Sequence, residues 1–371
     1  MRALVVGGTG FLGPPVVSGL LRRGHEVAVL HRGSGAAPVG ATGARGMAPD
    51  TGAPEPPGEA SGPPPEGVVE IRADRNRLAE AAPALRRFAP HVVVDLILSS
   101  AAQARALMTL LRGVAARVVA ASSLDVYRAT GVLYGSEPGG LEPLPLTEES
   151  PLRTRLHLYP PAQIAALRGV FGWLDGDYDK ILVEREVLGD AQLPGTVLRL
   201  PIVYGPRDKL HRFRPVAQRI ADGRRALVLG EALAGWRATR SYVEDAAEAL
   251  VLAAVHPDAA GRIYNVGEPD APSELEWMRL AARAAGWHGE VVVLPAALTP
   301  EHLRPPGNVA QQWVADSGRL RRELGWSVAL PREEALRLTL EWEREQPPAP
   351  EGERRSQYAA EDSALAAMRG A

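Results

Sequence analysis

The chain has 371 residues, with 42 Lys and Arg against 44 Asp and Glu, for a formal charge of −2. Hydrophobic residues make up 46% and charged residues 23%, which excludes wholesale disorder, a collagen-like fibre and a small disulfide-stapled scaffold. There is no overall basic field to draw the chain to nucleic acid or anionic lipid. The absence of cysteine removes disulfides, thiolate nucleophiles and Cys-ligated metals. The length fits two domains, or one large α/β domain with an appended lobe. No apolar run approaches the roughly 18 residues of a spanning helix. The first residues, MRALVVGGTG, read as a buried strand entering a turn, not as a signal peptide. The expected compartment is the cytoplasm.

In chain order, residues 3–6 are a short apolar run, as in a strand buried on both faces. A glycine-rich turn follows, then Val16, Val17, Leu20 and Leu21 at helical spacing. Pro14 and Pro15 fall in the first turn, where a missing N–H costs little, and Gly24 closes the helix. Residues 26–31 form the second strand. Residues 33–67 are dominated by Gly, Pro and Ala and read as a disordered surface insertion. The third strand is predicted at 68–71, a helix at 78–88, the fourth strand at 92–98, a helix at 101–112 and the fifth strand at 117–121. This alternation predicts an α/β fold with a Rossmann-type, doubly wound parallel sheet and right-handed crossovers. A strand at 196–200 completes a dinucleotide-binding domain over residues 1–204. Residues 205–345 mix short strands and helices, as a smaller C-terminal substrate lobe would, and 346–371 read as a mobile tail with a helical turn or two.

Gly7-Gly8-Thr9-Gly10-Phe11-Leu12-Gly13 carries the strongest functional signal. Glycines at 7, 10 and 13 follow a buried strand and open a helix. Gly7 permits the tight turn, Gly10 the close approach of a pyrophosphate, and Gly13 the close packing of helix on sheet. The helix N-terminus offers N–H groups and a positive dipole end to phosphate. At the end of the second strand stand His31 and Arg32, with no carboxylate for a ribose 2′-hydroxyl. An arginine there suits the 2′-phosphate of NADP, with NAD as the alternative.

The glycine spacing resembles that of the extended short-chain dehydrogenase/reductase, or NAD-dependent epimerase/dehydratase, family. Further segments resemble the same family in order along some 340 residues of the chain: Ser122-Ser123-Leu124-Asp125-Val126-Tyr127, Arg199-Leu-Pro-Ile-Val-Tyr-Gly-Pro206, Arg240-Ser-Tyr-Val-Glu-Asp-Ala-Ala247 and Tyr264-Asn-Val-Gly267. The resemblance implies hydride transfer at a sugar, nucleotide-sugar or other secondary alcohol or carbonyl. It implies that Thr9, Phe11 and Leu12 of the glycine turn and Leu96 of the fourth strand bind the cofactor. Asp74 resembles an aspartate that contacts the adenine, while as a helix cap it is equally well explained. Ser123 corresponds to the serine that orients the substrate oxygen. Lys180, at the head of Lys180-Ile-Leu-Val-Glu184, corresponds to the lysine that lowers the pKa of a catalytic tyrosine and holds the nicotinamide ribose.

The family's Tyr-x-x-x-Lys spacing fails here, because the residue four before Lys180 is Gly176. Tyr178 is the nearest tyrosine, and on one helix residues two apart point to different sides. Two readings stay open. Either residues 175–177 form a non-helical turn that swings Tyr178 inward, or the acid/base is replaced by Asp177, Asp179 or Tyr159. Arg240 matches a diphosphate-gripping arginine, or pairs with Glu244 or Asp245. Arg207 opens a cation-rich segment running to Arg225 that suits an anionic substrate or reads as a solvated face. Trp236 suits an aromatic lid or a core position. The histidines have no metal-ligand spacing, so no metal is expected. The expected partner is a small-molecule substrate, with no membrane, with nucleic acid disfavoured and with a homodimer as the family's usual state. A non-catalytic dinucleotide-binding or RNA-binding protein on the same fold is the alternative.

Overall fold

The computed structural model describes residues 1–33, 66–305 and 307–370. The N-terminal half runs β1 (Arg2–Val6), α1 (Gly13–Arg22), β2 (Glu26–His31), β3 (Val69–Arg72), α2 (Ala82–Phe88), β4 (Val92–Asp95), α3 (Ala101–Leu111) and β5 (Arg117–Ser123). Then come α4 (Arg128–Leu133), α5 (Pro161–Val170), α6 (Lys180–Leu188) and β6 (Gly195–Leu200). The remainder contains β7 (Ile202–Tyr204), α7 (Arg214–Ala221), β8 (Ala226–Gly230), α8 (Glu231–Ala234), β9 (Arg240–Tyr242), α9 (Val243–Val255) and β10 (Ile263–Asn265). It ends with α10 (Glu274–Ala284), β11 (Glu290–Leu294), α11 (Gly318–Leu324), α12 (Arg332–Glu345) and α13 (Glu351–Gly370).

Seven strands form one parallel sheet in the order β3-β2-β1-β4-β5-β6-β10. The continuous apolar runs suit it, since both faces are covered. Val5, Val29 and Val94 pack with Val16, Val17 and Leu20 of α1 and Leu250 of α9 on one side. Leu4, Leu30 and Val93 pack with Leu107 and Met108 of α3 and Val183 and Val187 of α6 on the other. The strand order reverses between β1 and β4, so a crevice opens at their C-terminal ends, where ligands bind in this architecture. A smaller lobe is built on two parallel strand pairs, β8–β11 and β7–β9, with α7, α10, α12 and α13 around them.

Several boundaries differ from the sequence reading. The helix expected at 78–88 is two pieces, a 3-10 segment at Arg75–Ala81 that breaks at Arg77, then α2. The fourth strand ends at Asp95 because its carboxylate accepts the Ile97 amide at 3.0 Å and turns the chain out of the sheet. That carboxylate is fully buried against Arg75 at 2.6 Å. Of the expected insertion at 33–67, residues 34–65 lie outside the described residues.

The largest correction concerns the C-terminus. In place of a mobile tail there is the 20-residue helix α13. Its anchor is Glu361, fully buried, which accepts hydrogen bonds from Arg219 and ion-pairs with His302 at 3.0 Å. Ala364 and Leu365 pack on Val228, Val292 and Leu294 of the lobe. Asp362 pairs with Arg224, whose guanidinium also lies 4.8 Å over the Tyr358 ring. The segment from Arg207 to Arg225 is therefore only partly a solvated face: Arg207, Lys209 and Arg225 are exposed, while Arg214, Arg219 and Arg224 meet acids of the C-terminal helices. Helix α12 adds a buried Glu343 bonded to His211 at 2.8 Å. Composition hid this docking because its anchors are charges and small residues, not an apolar stripe.

Candidate active site

The glycine turn lies in the crevice at the C-terminal end of β1. Gly7 has φ +83°, a backbone open to glycine, and its amide donates to Leu30 O at 3.1 Å. The Gly10 amide returns to Gly7 O and the Gly13 amide to Gly10 O, so the loop closes on its own backbone. A Cβ on Gly13 would lie 2.3 Å from the Gly8 carbonyl carbon, so only glycine lets α1 start there. Among the described residues nothing accepts the N–H groups of Phe11 and Leu12. These free amides at a helix start fit a pyrophosphate. Thr9 is buried, and its carbonyl accepts from Arg207 at 3.3 Å. Leu96 is also buried beside the turn, its amide bonded to Val6 O at 3.1 Å.

At the other end of the crevice, Arg32 is exposed and donates to the Gly172 carbonyl at 3.1 Å. His31 Nδ1 accepts the Gly33 amide, and its Nε2 lies 2.9 Å from Glu70. Glu70 is the carboxylate that reaches this strand end, and Arg72 takes it at 2.7 Å. Asp74 accepts the Asn76 amide at 2.8 Å and caps the 3-10 segment, the simpler of its two expected roles.

The second cluster forms where β5 ends and α6 begins. Helix α6 starts at Lys180, and Asp179 caps it in an extended conformation. Tyr178 therefore lies outside the helix, and the helical-wheel objection does not apply to it. Residues before it are held by Asp175, which accepts from Ser100 at 2.6 Å while its amide donates to Ser99 at 2.8 Å. The Tyr178 hydroxyl donates to Asp125 Oδ2 at 2.8 Å. Ser123 Oγ accepts the Asp125 amide at 3.1 Å. One residue, Asp125, thus links Ser123 to Tyr178. Lys180 Nζ donates to the carbonyls of Leu98 and Ala121 and lies 5.9 Å from the Tyr178 ring centroid.

Electrostatics follow from burial. Burial pulls the Lys180 pKa down to about 8, against the carboxylates of Asp125, Asp95 and Glu184, which hold it up. Burial raises the Asp125 carboxyl, with Arg153 and the Tyr178 hydrogen bond opposing the rise. Tyr178 is pushed well above the ordinary tyrosine value by burial first and by the Asp125 carboxylate second. Tyr159, one of the expected substitutes, donates to the same Asp125 oxygen at 3.4 Å, and its ring lies 5.7 Å from that of Tyr178. Asp179 is buried and occupied as a cap, accepting from Ile181, His157 and Arg153. Asp177 is exposed.

The family-like segments interlock behind this corner. Ser122 donates to Glu184 at 2.6 Å, Arg199 pairs with Glu184 at 2.7 Å, and Arg199 donates to the Tyr127 hydroxyl at 2.9 Å. Tyr127 in turn donates to Asn265 at 2.7 Å. Burial pushes the Tyr127 pKa up to about 12. Four segments far apart in sequence are one buried network that fixes β5, α6, β6 and β10 to each other.

The expected substrate residues are less convergent. Trp236 is 4% exposed, and its indole N–H donates to Gln311 O at 3.0 Å, so it is a core residue and no lid. Arg240 pairs with Glu274 at 2.6 Å, not with Glu244 or Asp245, and lies 4.6 Å over the Trp277 ring. Arg207 reaches the glycine turn instead of a substrate pocket. Sequence reading missed Asp125 and Arg153. Asp125 stood inside a quoted motif, two residues after the serine, where its carboxylate could have been noticed. Arg153, which donates to Asp125 O at 2.6 Å, carried no signal in its loop. Among the described residues no group of His, Asp and Glu could hold a metal ion, and no helix is long and apolar enough to cross a membrane.

The model of the NAD dependent epimerase/dehydratase family matches residues 177–267. A 3-diazoavenalumate denitrifying reductase from a Streptomyces species is 30% identical over 343 residues, 89% of this chain and 97% of that protein. The UDP-glucose 4-epimerase of Thermus thermophilus, solved with NAD, has a TM-score of 0.57 at 26% identity, over 94% of this chain and all of that one. A dTDP-glucose 4,6-dehydratase from Bacillus anthracis, also with NAD, shares the fold with a TM-score of 0.60 at 16% identity, over 92% and 96% of the two chains. The chain belongs to the NAD-dependent epimerase/dehydratase family. It is an enzyme of the epimerase, dehydratase and reductase group that works with a nicotinamide dinucleotide.

Proposed function

We propose that this enzyme is an NADP(H)-dependent oxidoreductase that acts on a small molecule at a carbonyl, secondary alcohol or similarly hydride-accepting group. The observation that carries the reading is that Asp125 joins Ser123 to Tyr178, with Lys180 5.9 Å from the Tyr178 ring. The nicotinamide ring, when bound, supplies or accepts the hydride. Gly7, Gly10 and Gly13, with the amides of Phe11 and Leu12, would hold the pyrophosphate, and Leu96 would line the crevice. Arg32 would pair with a 2′-phosphate, a reading supported by Glu70, the carboxylate at this strand end among the described residues, being taken by Arg72 and His31. Lys180 would hold the nicotinamide ribose. Ser123 would orient the reacting group and Tyr178 would hold the proton that it gains.

The kinship to a denitrifying reductase favours reduction over epimerisation. The pairing of Arg240 with Glu274 also weighs against a nucleotide-sugar diphosphate at that arginine. The reading is tested by following NADPH and NADH oxidation with a panel of aldehydes, ketones and diazo compounds. Turnover with NADPH supports it. Tight NADPH binding with no turnover of any member would favour the non-catalytic binder.

A further inference from the structure

In a site built on serine, tyrosine and lysine, a phenol gives up its proton near neutral pH only when a cation stands beside it. Here that arrangement is altered. The Lys180 ammonium is bound by two backbone carbonyls, and the hydroxyl of Tyr178 meets a carboxylate. Asp125 is 2% exposed, and its second oxygen, Oδ1, has no hydrogen-bond partner among the described residues. Its carboxylate caps no helix, because the 3-10 turn that holds it is capped by Ser123.

We propose that Asp125, not Lys180, governs Tyr178: the carboxylate holds the phenol in its neutral, protonated form. Asp125 is in this sense a positioning residue, acting through Tyr178. The inference rests on the hydride-transfer reading above. A carboxylate that accepts from a phenol favours the neutral phenol, and it opposes the phenolate, since two negative oxygens would then stand side by side. A phenol held in this way can still protonate a substrate oxygen that is gaining an electron pair, because an alkoxide is a far stronger base. The Tyr178 O–H bond breaks, its electron pair stays on the phenolate, and a lone pair of the substrate oxygen makes the new O–H bond. The phenolate then takes a proton from water.

The other charged and titratable groups at this corner do not reverse the effect of Asp125 on Tyr178. Asp179 adds a second negative charge, Tyr159 is a neutral donor to Asp125, and Arg153 opposes both acids. Lys180 has Asp95 and Glu184 behind it.

The test reads Tyr178 directly and needs no substrate. Full-length protein carrying [13Cζ]tyrosine is titrated by NMR, with Tyr178 assigned through Tyr178→Phe. In the wild type the Tyr178 signal stays in the phenol form well above the ordinary tyrosine midpoint. Asp125→Asn keeps an acceptor but removes the charge, and the midpoint falls by about one unit or more. Lys180→Met leaves the midpoint within a few tenths. A wild-type Tyr178 that ionises at or below the ordinary tyrosine value, an unchanged midpoint in Asp125→Asn, or a rise of a full unit in Lys180→Met would overturn the proposal. If Asp125→Asn does not fold, the wild-type and Lys180→Met titrations still decide. Failure of the hydride-transfer reading would appear separately, as absent cofactor oxidation with the titration unaffected.

Discussion

The glycine turn and the corner of Ser123, Asp125 and Tyr178 sit at the ends of strands in one sheet, yet they are made in opposite ways. The turn is seven consecutive residues, closed by its own backbone and tolerant of no Cβ at Gly13. The corner is assembled from side chains of β5, the loop before α5, and the start of α6, and no two of its key groups are neighbours on one helix face. A backbone site is fixed by sequence spacing. A convergent side-chain site is fixed by tertiary packing, and its spacing can drift while its chemistry persists.

This contrast can be broken by substitution, and the largest effect is expected at the turn. Gly13→Val puts a side chain into the Gly8 backbone, so the dissociation constant for NADPH should rise by two orders of magnitude or more, roughly the loss of a pyrophosphate cradle. Fluorescence titration with NADPH reads this. An unchanged constant would mean that the cofactor does not use the turn.

Next comes a region outside both sites, which separates loss of fold from loss of chemistry. Glu361→Ala leaves Arg219 buried without its partner and should cost about 3 kcal/mol in urea unfolding, typical of breaking a buried pair. Burial pushes the Glu361 carboxyl up, but His302 and Arg219 outweigh it and hold the pKa below the ordinary value. A depressed carboxyl contributes stability above its unfolded pKa. The gap between wild type and Glu361→Gln should therefore persist at neutral pH and close as pH falls through the acid range. A gap independent of pH would remove charge from the explanation of α13 docking.

Smaller effects sharpen the reading of the crevice. Arg32→Ala should weaken NADPH about tenfold and leave NADH unchanged, since one charge-assisted contact is lost. Equal losses for both cofactors would make Arg32 a tether of the Gly172 loop only. Trp236→Phe removes one buried hydrogen bond and should cost about 1 kcal/mol with turnover intact. A selective loss of turnover would restore a substrate role to Trp236.

Much of the fold was legible, for physical reasons. Runs such as residues 3–6 and 92–94 are wholly apolar because both sheet faces are covered, and Gly7, Gly10 and Gly13 fit a strand–turn–helix crossing. The end of β4 was overrun because apolar residues resume at 96–98 after Asp95, while the stop is a side-chain event, the Asp95 carboxylate taking the Ile97 amide. Helix α13 was missed because its anchor, Glu361, looks like a surface glutamate until Arg219 and His302 are brought to it. Tyr178 was legible as a candidate but not as a placed group, since only the extended cap at Asp179 shows that it precedes the helix. Asp125 was hidden by its neighbours, a serine and a tyrosine with established places in the motif.

The corner of Ser123, Tyr178 and Lys180 is proposed to move the proton in a nicotinamide-dependent reduction. The most direct measurement is NADPH oxidation by wild type and Tyr178→Phe at saturating cofactor, using a carbonyl or diazo compound that the wild type turns over, with NADPH affinity measured alongside. The account predicts that kcat falls by roughly two to three orders of magnitude, the size of a lost general acid, while NADPH affinity is unchanged. A Tyr178→Phe enzyme as fast as wild type would contradict it.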